Sequence, residues 1–361
     1  AKVGLYDTHG NQYQFAAPSA RATIRSSGDW REGYAEAWWS TCCRAIRACV
    51  AEIEVSRVAG ICVGGQGPTL VAVDAAGNVV RPAIMYNDCR AITEAAEASA
   101  RLRRPVTARN SYLPRALWIR NHEPTLYAAT RWFLQAWDFI VYRLTGTAAA
   151  TSPLGRYTPW REGDLTGLGL DPERFPKSIE TAEKVAGVCA QASAETGLPE
   201  GVPVIAGGGD FLLGTMGAAG AQKGVAQSQG GATGAFTLCW DRPLKGELIG
   251  WNIPSPVRPD MLNTGGPLTT GGTALDWLLY TVLRLPTDYE AALAGASRIP
   301  AGAEGLLFFP YLAGEQMTMC PDTRGLFLGL SLRHGPDHLI RAVLEGIAFA
   351  GRSIMEALAA A

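Results

Sequence analysis

The sequence predicts an α/β protein of two domains. Three observations carry this. Short apolar runs ending in glycines alternate with segments of helical periodicity, the alternation restarts past residue 205, and 361 residues at 47% hydrophobic and 18% charged suffice to bury two cores. A formal net charge of -1 leaves no basic surplus for a nucleic-acid backbone or an anionic membrane, so neither is expected as a partner. No stretch approaches the ~20 apolar residues of a membrane span. The opening has no basic segment leading into an apolar one, and a cytoplasmic protein is expected. Eight cysteines, mostly in apolar segments and without a CxxC pair, read as buried thiols of a reducing compartment. With four histidines and no ligand-like spacing, a Cys/His metal site is disfavoured.

Taken in order, "KVGLYDTHGNQYQF" reads as a hairpin turned at Asp7 to Gly10, and "AEAWWSTCCRAIRACVAEI" as a helix with Trp38, Trp39, Cys42, Ala45, Ile46 and Cys49 on its packed stripe. "VAGICVGG" reads as a short buried strand, and "TLVAVDAAGNVVRPAIMYND" as a hairpin turned at Asp74 to Asn78. Leu113 to Leu144 is expected to be predominantly helical, with Trp118, Leu126, Phe133, Trp137 and Ile140 in the core. Proline breaks from Thr151 to Pro203 lead to a domain border at 205/206. Beyond it, "GVAQSQGGATGAFTLCW" reads as two strands around a glycine turn, and "TTGGTALDWLLYTVL" as a glycine-led helix. "GLLFFPYLAGE" reads as a buried strand, and "PDHLIRAVLEGIAFAGRSIMEAL" as a long helix packing Leu339, Val343, Ile347 and Ala350. The chain opens in what reads as mid-strand and stops in mid-helix, so terminal segments beyond both ends are expected.

Chemistry is sought first at "VPVIAGGGDFLLGTMG". A carboxylate after a glycine turn at the mouth of a buried strand sits where open α/β sheets place their ligands. Asp210 is equally readable as the cap of the helix beginning at Phe211. "QGGATG", with Gly230, Gly231, Ala232 and Thr233, is a turn able to wrap N–H groups around a phosphate, and Gly-rich hairpin turns of no function look the same. "TTGGTALDW" sets Gly271 and Gly272 at a helix start, a site for an anion or for packing alone. Neither matches the Walker pattern. "VGGQGPT" offers Gln66 and backbone, and "YNDCR" clusters Asn87, Asp88 and Arg90; hydroxyl-rich ligands need such donors and acceptors, while Asp88 and Arg90 also suit a structural ion pair.

In order and wording these segments resemble the FGGY carbohydrate kinases. "GGQGPTLVAVDAAGNVVRPAIMYNDCRA", "TGLGLDPERFPKSIETAEKVAG", "PVIAGGGD", "TTGGTALDWL" and "PDTRGLFLGLSLRH" with "LIRAVLEGIAFAGR" run through nearly the whole chain. The resemblance implies two actin-like, ribonuclease-H-like domains with an interdomain cleft that closes around substrate: residues 1–205 for the sugar and 206–361 for the nucleotide. It implies ATP and Mg²⁺, with Asp210 as general base and metal contact, and a sugar or polyol acceptor, a ketopentose such as xylulose foremost. Gln66, Gly67, Pro68 and Phe211 would line the sugar site, with Asn87, Asp88 and Arg90 lining or supporting it. Gly230, Gly231, Ala232 and Thr233 would meet the phosphates, Gly271, Gly272 and Asp276 the nucleotide side, and Gly314 the ATP mouth. At family level a homodimer is expected.

The sequence also departs from the family. Its D-x-G-T phosphate loop and late G-G-G-x-x-x-S/N-x-x-W segment are expected outside the given residues. "GQGPT" stands where G-Q-M-H-G is usual, and Phe211 replaces a polar residue. Both changes remove hydrogen-bonding side chains from the expected pocket and leave the sugar open. They motivate a second reading, a non-catalytic sugar or nucleotide sensor of the same fold. An actin-like ATPase or assembly module is a third, disfavoured by the sugar-side phrases.

Overall fold

The opening alternation folds as β1 (Val3–Tyr6) and β2 (Gln12–Ala16), paired antiparallel, with Asp7 Oδ1 accepting the N–H groups of His9 and Asn11 in the turn. The structure is a computed structural model. It describes every residue except 19–23, 28–29, 109–110, 154–157, 219–221, 232, 256–257, 269, 286–288, 313 and 315–322, and describes residues 24–27 by backbone alone. Ala232 therefore lies outside the described residues. The chain divides into two compact units, Ala1–Leu213 and Gly214–Ala361.

In the first unit, β3 (Ile24–Ser27) and β4 (Trp30–Gly33) precede α1 (Ala35–Val50), and β5 (Ile61–Gly65), β6 (Leu70–Val73) and β7 (Ala83–Ile84) follow it. Next come α2 (Ile92–Leu102), α3 (Leu113–His122), α4 (Pro124–Ala129), β8 (Trp132–Gln135) and α5 (Ala136–Thr145). The unit closes with β9 (Ala150–Thr151), α6 (Glu162–Gly167), β10 (Ser178–Ile179), β11 (Lys184–Gly187), α7 (Ala190–Thr196), β12 (Pro203–Gly209) and the start of α8 (Asp210–Gly217). One sheet runs β3-β4-β7-β6-β8, antiparallel throughout; another runs β11-β12-β5, with β12 and β5 parallel. β6 is buried on both faces. Leu70 and Ala72 join a cluster with Leu117 and Phe133, while Val71 and Val73 join another with Trp39, Phe139 and Val204.

Four expectations are corrected here. Trp132–Gln135 is a strand inside the stretch read as helical, because it pairs with β6 over Val73↔Trp132 to Leu70↔Gln135. β5 is not buried throughout: Cys62 and Gly64 are exposed, and among the described residues β5 is an edge strand. α1 buries Cys43 rather than Cys42 and only half-buries Trp38, and Leu126 of α4 is likewise only partly buried.

The second unit forms β13 (Ala226–Gln229), β14 (Gly234–Trp240), β15 (Trp251–Pro254) and β16 (Leu262–Leu268), an antiparallel sheet in the order β13-β14-β16-β15. α9 (Gly272–Asp276) widens into a π-turn over Trp277–Val282, followed by α10 (Tyr289–Ser297), the hairpin β17 (Leu307–Phe309) and β18 (Leu326–Leu328), and α11 (Pro336–Ala360). α11 buries Ile340, Val343, Gly346, Gly351, Ile354 and Leu358; of the predicted stripe Val343 is fully buried, Leu339 and Ile347 pack partly buried against the same core, and Ala350 is half-buried. Gly346 lies so near β17 that a Cβ there would stand 2.2 Å from Phe308 O, so the glycine sets how closely the helix approaches. β17 buries only Phe308, with Leu307 and Phe309 exposed, because it is a two-stranded ribbon with one covered face. Among the described residues no helix is long and apolar enough to cross a membrane, and none of the seven described cysteines is in a disulfide.

Candidate active site

The first unit's site is built by strand register. β12 and β5 run parallel with Gly208 opposite Gly64 and Gly209 opposite Gly65, so Asp210 and Gln66 leave neighbouring strands at the same level and the same end. The glycines are required by this approach. A Cβ on Gly207 would stand 2.0 Å from Val63 O, and Gly208 has φ +154°, which side-chain-bearing residues rarely adopt. Asp210 opens α8 and is exposed, and its Oδ1 accepts the Phe211 N–H at 2.8 Å. The carboxylate thus serves its own helix start while facing outward, combining parts of both readings the sequence left open. Partial burial raises its pKa, opposed by the N–H groups of Phe211 and of Asp210 itself. Phe211 is half-buried directly after it.

Gln66 is half-buried, and Gly67 and Pro68, joined by a cis peptide, turn the chain into β6. Thr69 Oγ1 accepts the Tyr86 N–H at 3.0 Å, which ties this loop to the Tyr86–Arg90 turn. Within that turn Asn87 is exposed. Asp88 and Arg90 are buried and committed to one another: Arg90 Nε donates to Asp88 Oδ1 and Oδ2 at 2.9 and 3.0 Å, and Nη2 to Oδ2 at 2.7 Å. Arg90 Nη1 reaches Glu32 at 2.9 Å, Arg81 pairs with Glu32 and Glu123, and the Arg90 guanidinium lies 3.9 Å from the Trp30 ring centroid and 4.9 Å from that of Trp118. These contacts occupy both residues in holding the turn, which leaves Asn87 as the one of the three that faces outward.

Two residues outside the sequence-derived set share this edge. Trp137, read only as core, lays the benzo edge of its indole along the strand-end glycines, with Cβ atoms on Gly65, Gly67 and Gly209 falling 3.4, 2.9 and 3.7 Å from its nearest atoms. Its Nε1 is buried with no partner among the described residues. Tyr112, one residue before the stretch read as helical, precedes α3 and brings its hydroxyl to the same Gly67. A tyrosine just before a helical run and a tryptophan within it carry no local mark of this role; the packing of α5 against β5 and the placement of the start of α3 at Gly67 bring them here.

In the second unit the two glycine turns abut. Gly272 N–H donates to Gly231 O at 2.8 Å, and a Cβ on Gly271 would stand 3.3 Å from that oxygen and from Thr233 C. Gly230, Gly231 and Thr233 are exposed; Gly271 is buried and Gly272 half-buried. Thr270 Oγ1 beside them is buried with no partner among the described residues, an unmet group that a phosphate oxygen suits. The helix they lead runs on as expected to Val282, its second part in π geometry after the five residues of α9. Asp276 accepts the Tyr289 hydroxyl, and Gly314 is buried in a turn with φ +82°, its N–H on Tyr311 O at 3.1 Å.

The fold makes the chain a two-domain α/β protein, and comparison with known proteins makes its class a carbohydrate kinase, a phosphotransferase. Residues 1–217 match the N-terminal domain of the FGGY family of carbohydrate kinases and residues 233–361 its C-terminal domain, and the chain belongs to that family. It is 28% identical over 348 residues to a xylulose kinase of Bacillus subtilis, covering 90% of this chain and 69% of the relative. A gluconokinase of the same organism is 28% identical over 258 residues, 66% of this chain and 50% of the relative. The crystal structure of xylulose kinase from Rhodospirillum rubrum superposes with a TM-score of 0.70 at 27% identity, covering 92% of this chain and 71% of that one.

Proposed function

We propose that this kinase transfers the γ-phosphoryl group of ATP to a hydroxyl of a sugar or polyol, a ketopentose such as xylulose foremost, with Asp210 as general base. The carrying observation is the register of β12 on β5, which delivers an outward carboxylate and the Gln66 amide from adjacent parallel strands. Asp210 would take the proton of the acceptor hydroxyl as its oxygen meets phosphorus, and its raised pKa brings it toward the range where a carboxylate accepts protons efficiently. Gln66 and the Gly67–Pro68 backbone would orient the sugar, with Asn87 at the rim and Asp88 and Arg90 holding the turn. The abutting Gly231 and Gly271–Gly272 turns with Thr270 Oγ1 would hold nucleotide phosphates. Mg²⁺, when bound, would spread charge on those phosphates; Asp210 offers it one oxygen, and phosphate oxygens and water ordinarily supply the rest. A cytoplasmic setting, where ATP is available, belongs to the same reading.

The xylulose and gluconate kinases among the relatives define the first substrates to try. Coupled ADP-release assays across pentuloses, hexuloses, gluconate and polyols should find at least one acceptor, and Asp210→Asn should abolish its turnover. Sugar or nucleotide binding without turnover on the whole panel would replace the kinase by the sensor.

A further inference from the structure

We propose that the Tyr112 hydroxyl is a substrate-binding donor of this site, one that hydrogen-bonds an oxygen of the sugar and, together with the Trp137 ring, sets which sugars are accepted. The inference rests on the acceptor site lying at the Gln66–Asp210 edge.

Tyr112 is 8% exposed, yet no described residue forms a hydrogen bond with its Oη. The ring is buried while the hydroxyl at its tip is not among the sealed side-chain atoms, so at a ligand edge that tip can meet a ligand oxygen. The group is aimed rather than loose. Its ring packs edge-on against Trp160 at 5.8 Å between centroids, and it stands at the N-terminus of α3. One turn on, the fully buried Arg115 guanidinium donates to the carbonyls of Ser111, Met85 and Tyr86. That clamp fixes the Tyr112 backbone to the same Tyr86–Arg90 turn that Thr69 fixes to the sugar loop.

The hydroxyl meets the site at Gly67. A Cβ there would stand 3.0 Å from Tyr112 Oη, 2.9 Å from Trp137 Cζ3 and 3.0 Å from Trp137 Cη2, so both rings close on the loop directly after Gln66. Trp137 continues along Gly65 to Gly209, the residue before Asp210. A flat apolar wall with one polar tip is a usual surface for a sugar, whose C–H face packs on the ring while a hydroxyl or carbonyl oxygen takes the donor. Burial pushes the Tyr112 phenol well above its ordinary value, Asp138 and Asp210 push it the same way, and Arg115 opposes them. The group therefore stays protonated at working pH, a donor and not a second base.

Tyr112→Phe removes only the hydroxyl and keeps the ring packed. Sugar affinity is read by calorimetry on the full chain with D-xylulose and D-gluconate, and turnover is read separately by ADP release. Tyr112→Phe should raise Kd for the better-bound sugar by about tenfold or more, the usual consequence of leaving a site-directed hydrogen bond unmade. Its Tm and its KM for ATP should match the wild type. Trp137→Phe, which shortens the wall, should change the ratio of the two sugars' Kd values. Kd within twofold of wild type in Tyr112→Phe for both sugars overturns the proposal. A drop in Tm with no loss of sugar affinity would mark Tyr112 as packing only, and also overturns it. Failure of the kinase reading shows elsewhere, as turnover indifferent to Asp210→Asn, while the Kd comparison still decides the role of Tyr112.

Discussion

The glycine turns of the two units are held in opposite ways. In the first unit the turns around Gln66 and Asn87 are braced by side chains: Arg90 clamped between Asp88, Glu32 and two indoles, Arg115 spanning three carbonyls, and Trp137 and Tyr112 closing on Gly67. In the second the turns brace each other through backbone, Gly272 N–H on Gly231 O, with Thr270 the nearby polar side chain. The contrast would suit the two ligands proposed for these turns. A sugar differs from its epimers by the direction of one hydroxyl, so its site needs rigid side chains; a phosphate is the same in every nucleotide and can be held by N–H groups alone.

Breaking the chemistry itself should have the largest effect. Asp210→Asn is expected to lower turnover by a factor on the order of 10²–10⁴, the usual scale for a general base, with sugar and nucleotide Kd values little changed. Because burial raises the Asp210 pKa and only the ionised form accepts a proton, kcat/KM should fall as pH falls through a value above the ordinary ~3.9 for aspartate. A wild-type acid limb at or below that value would argue against Asp210 as the base.

Next comes the brace. Arg90→Met leaves Asp88 buried without its ion-pair partner and Glu32 with Arg81 alone, a loss of about 3–5 kcal/mol that lowers Tm on the order of 10 °C by scanning calorimetry. Nucleotide affinity measured well below that Tm should be unchanged. The phosphate-side counterpart is milder. Gly271→Ala puts a Cβ 3.3 Å from Gly231 O and forces the two turns apart by a few tenths of an ångström, raising KM for ATP several-fold and leaving sugar Kd alone. Equal effects of both substitutions on both ligands would erase the distinction.

The same contrast explains what could be read in advance. Backbone-built features announce themselves, because close approach and positive φ demand glycine at fixed places; the Gly207–Gly209 run, the Gly230–Gly231 turn and the Gly271–Gly272 start were all visible, and Asp210 with them. Features built by side chains from distant segments were not. Whether Asp88 and Arg90 faced a ligand or each other depended on Glu32 and Trp30, more than fifty residues upstream in β4, and β8 looked helical until β6 gave it a partner. Tyr112 and Trp137 are ordinary aromatic residues just before and within a helical stretch, and their meeting at Gly67 is a property of the fold. On α11 the periodicity of large residues found Leu339, Val343 and Ile347 but not Gly346 and Gly351, where the closest approaches are made.

The smallest expected effect concerns the buried carboxyl that the first unit carries near its site. Asp138 accepts hydrogen bonds from Gln135 Nε2 at 2.6 Å and from Thr151 Oγ1 and N at 2.7 and 3.2 Å, yet burial outweighs these and raises its pKa from 3.8 to about 7. The folded chain therefore binds this proton more tightly than the unfolded chain does. The stability it contributes is complete below the unfolded value of 3.8 and is lost as pH rises through about 7. The second unit's shifted carboxylates, Asp241 and Asp260, are exposed and shifted downward, so they push in the opposite sense. Asp138→Asn keeps the volume and removes the titration. In Tm measured against pH, the variant should lose the wild-type component that declines toward neutrality, so that the gap between the two curves changes across that window. Parallel curves would mean that Asp138 is ionised in the folded chain throughout, and that its three hydrogen bonds outweigh its burial.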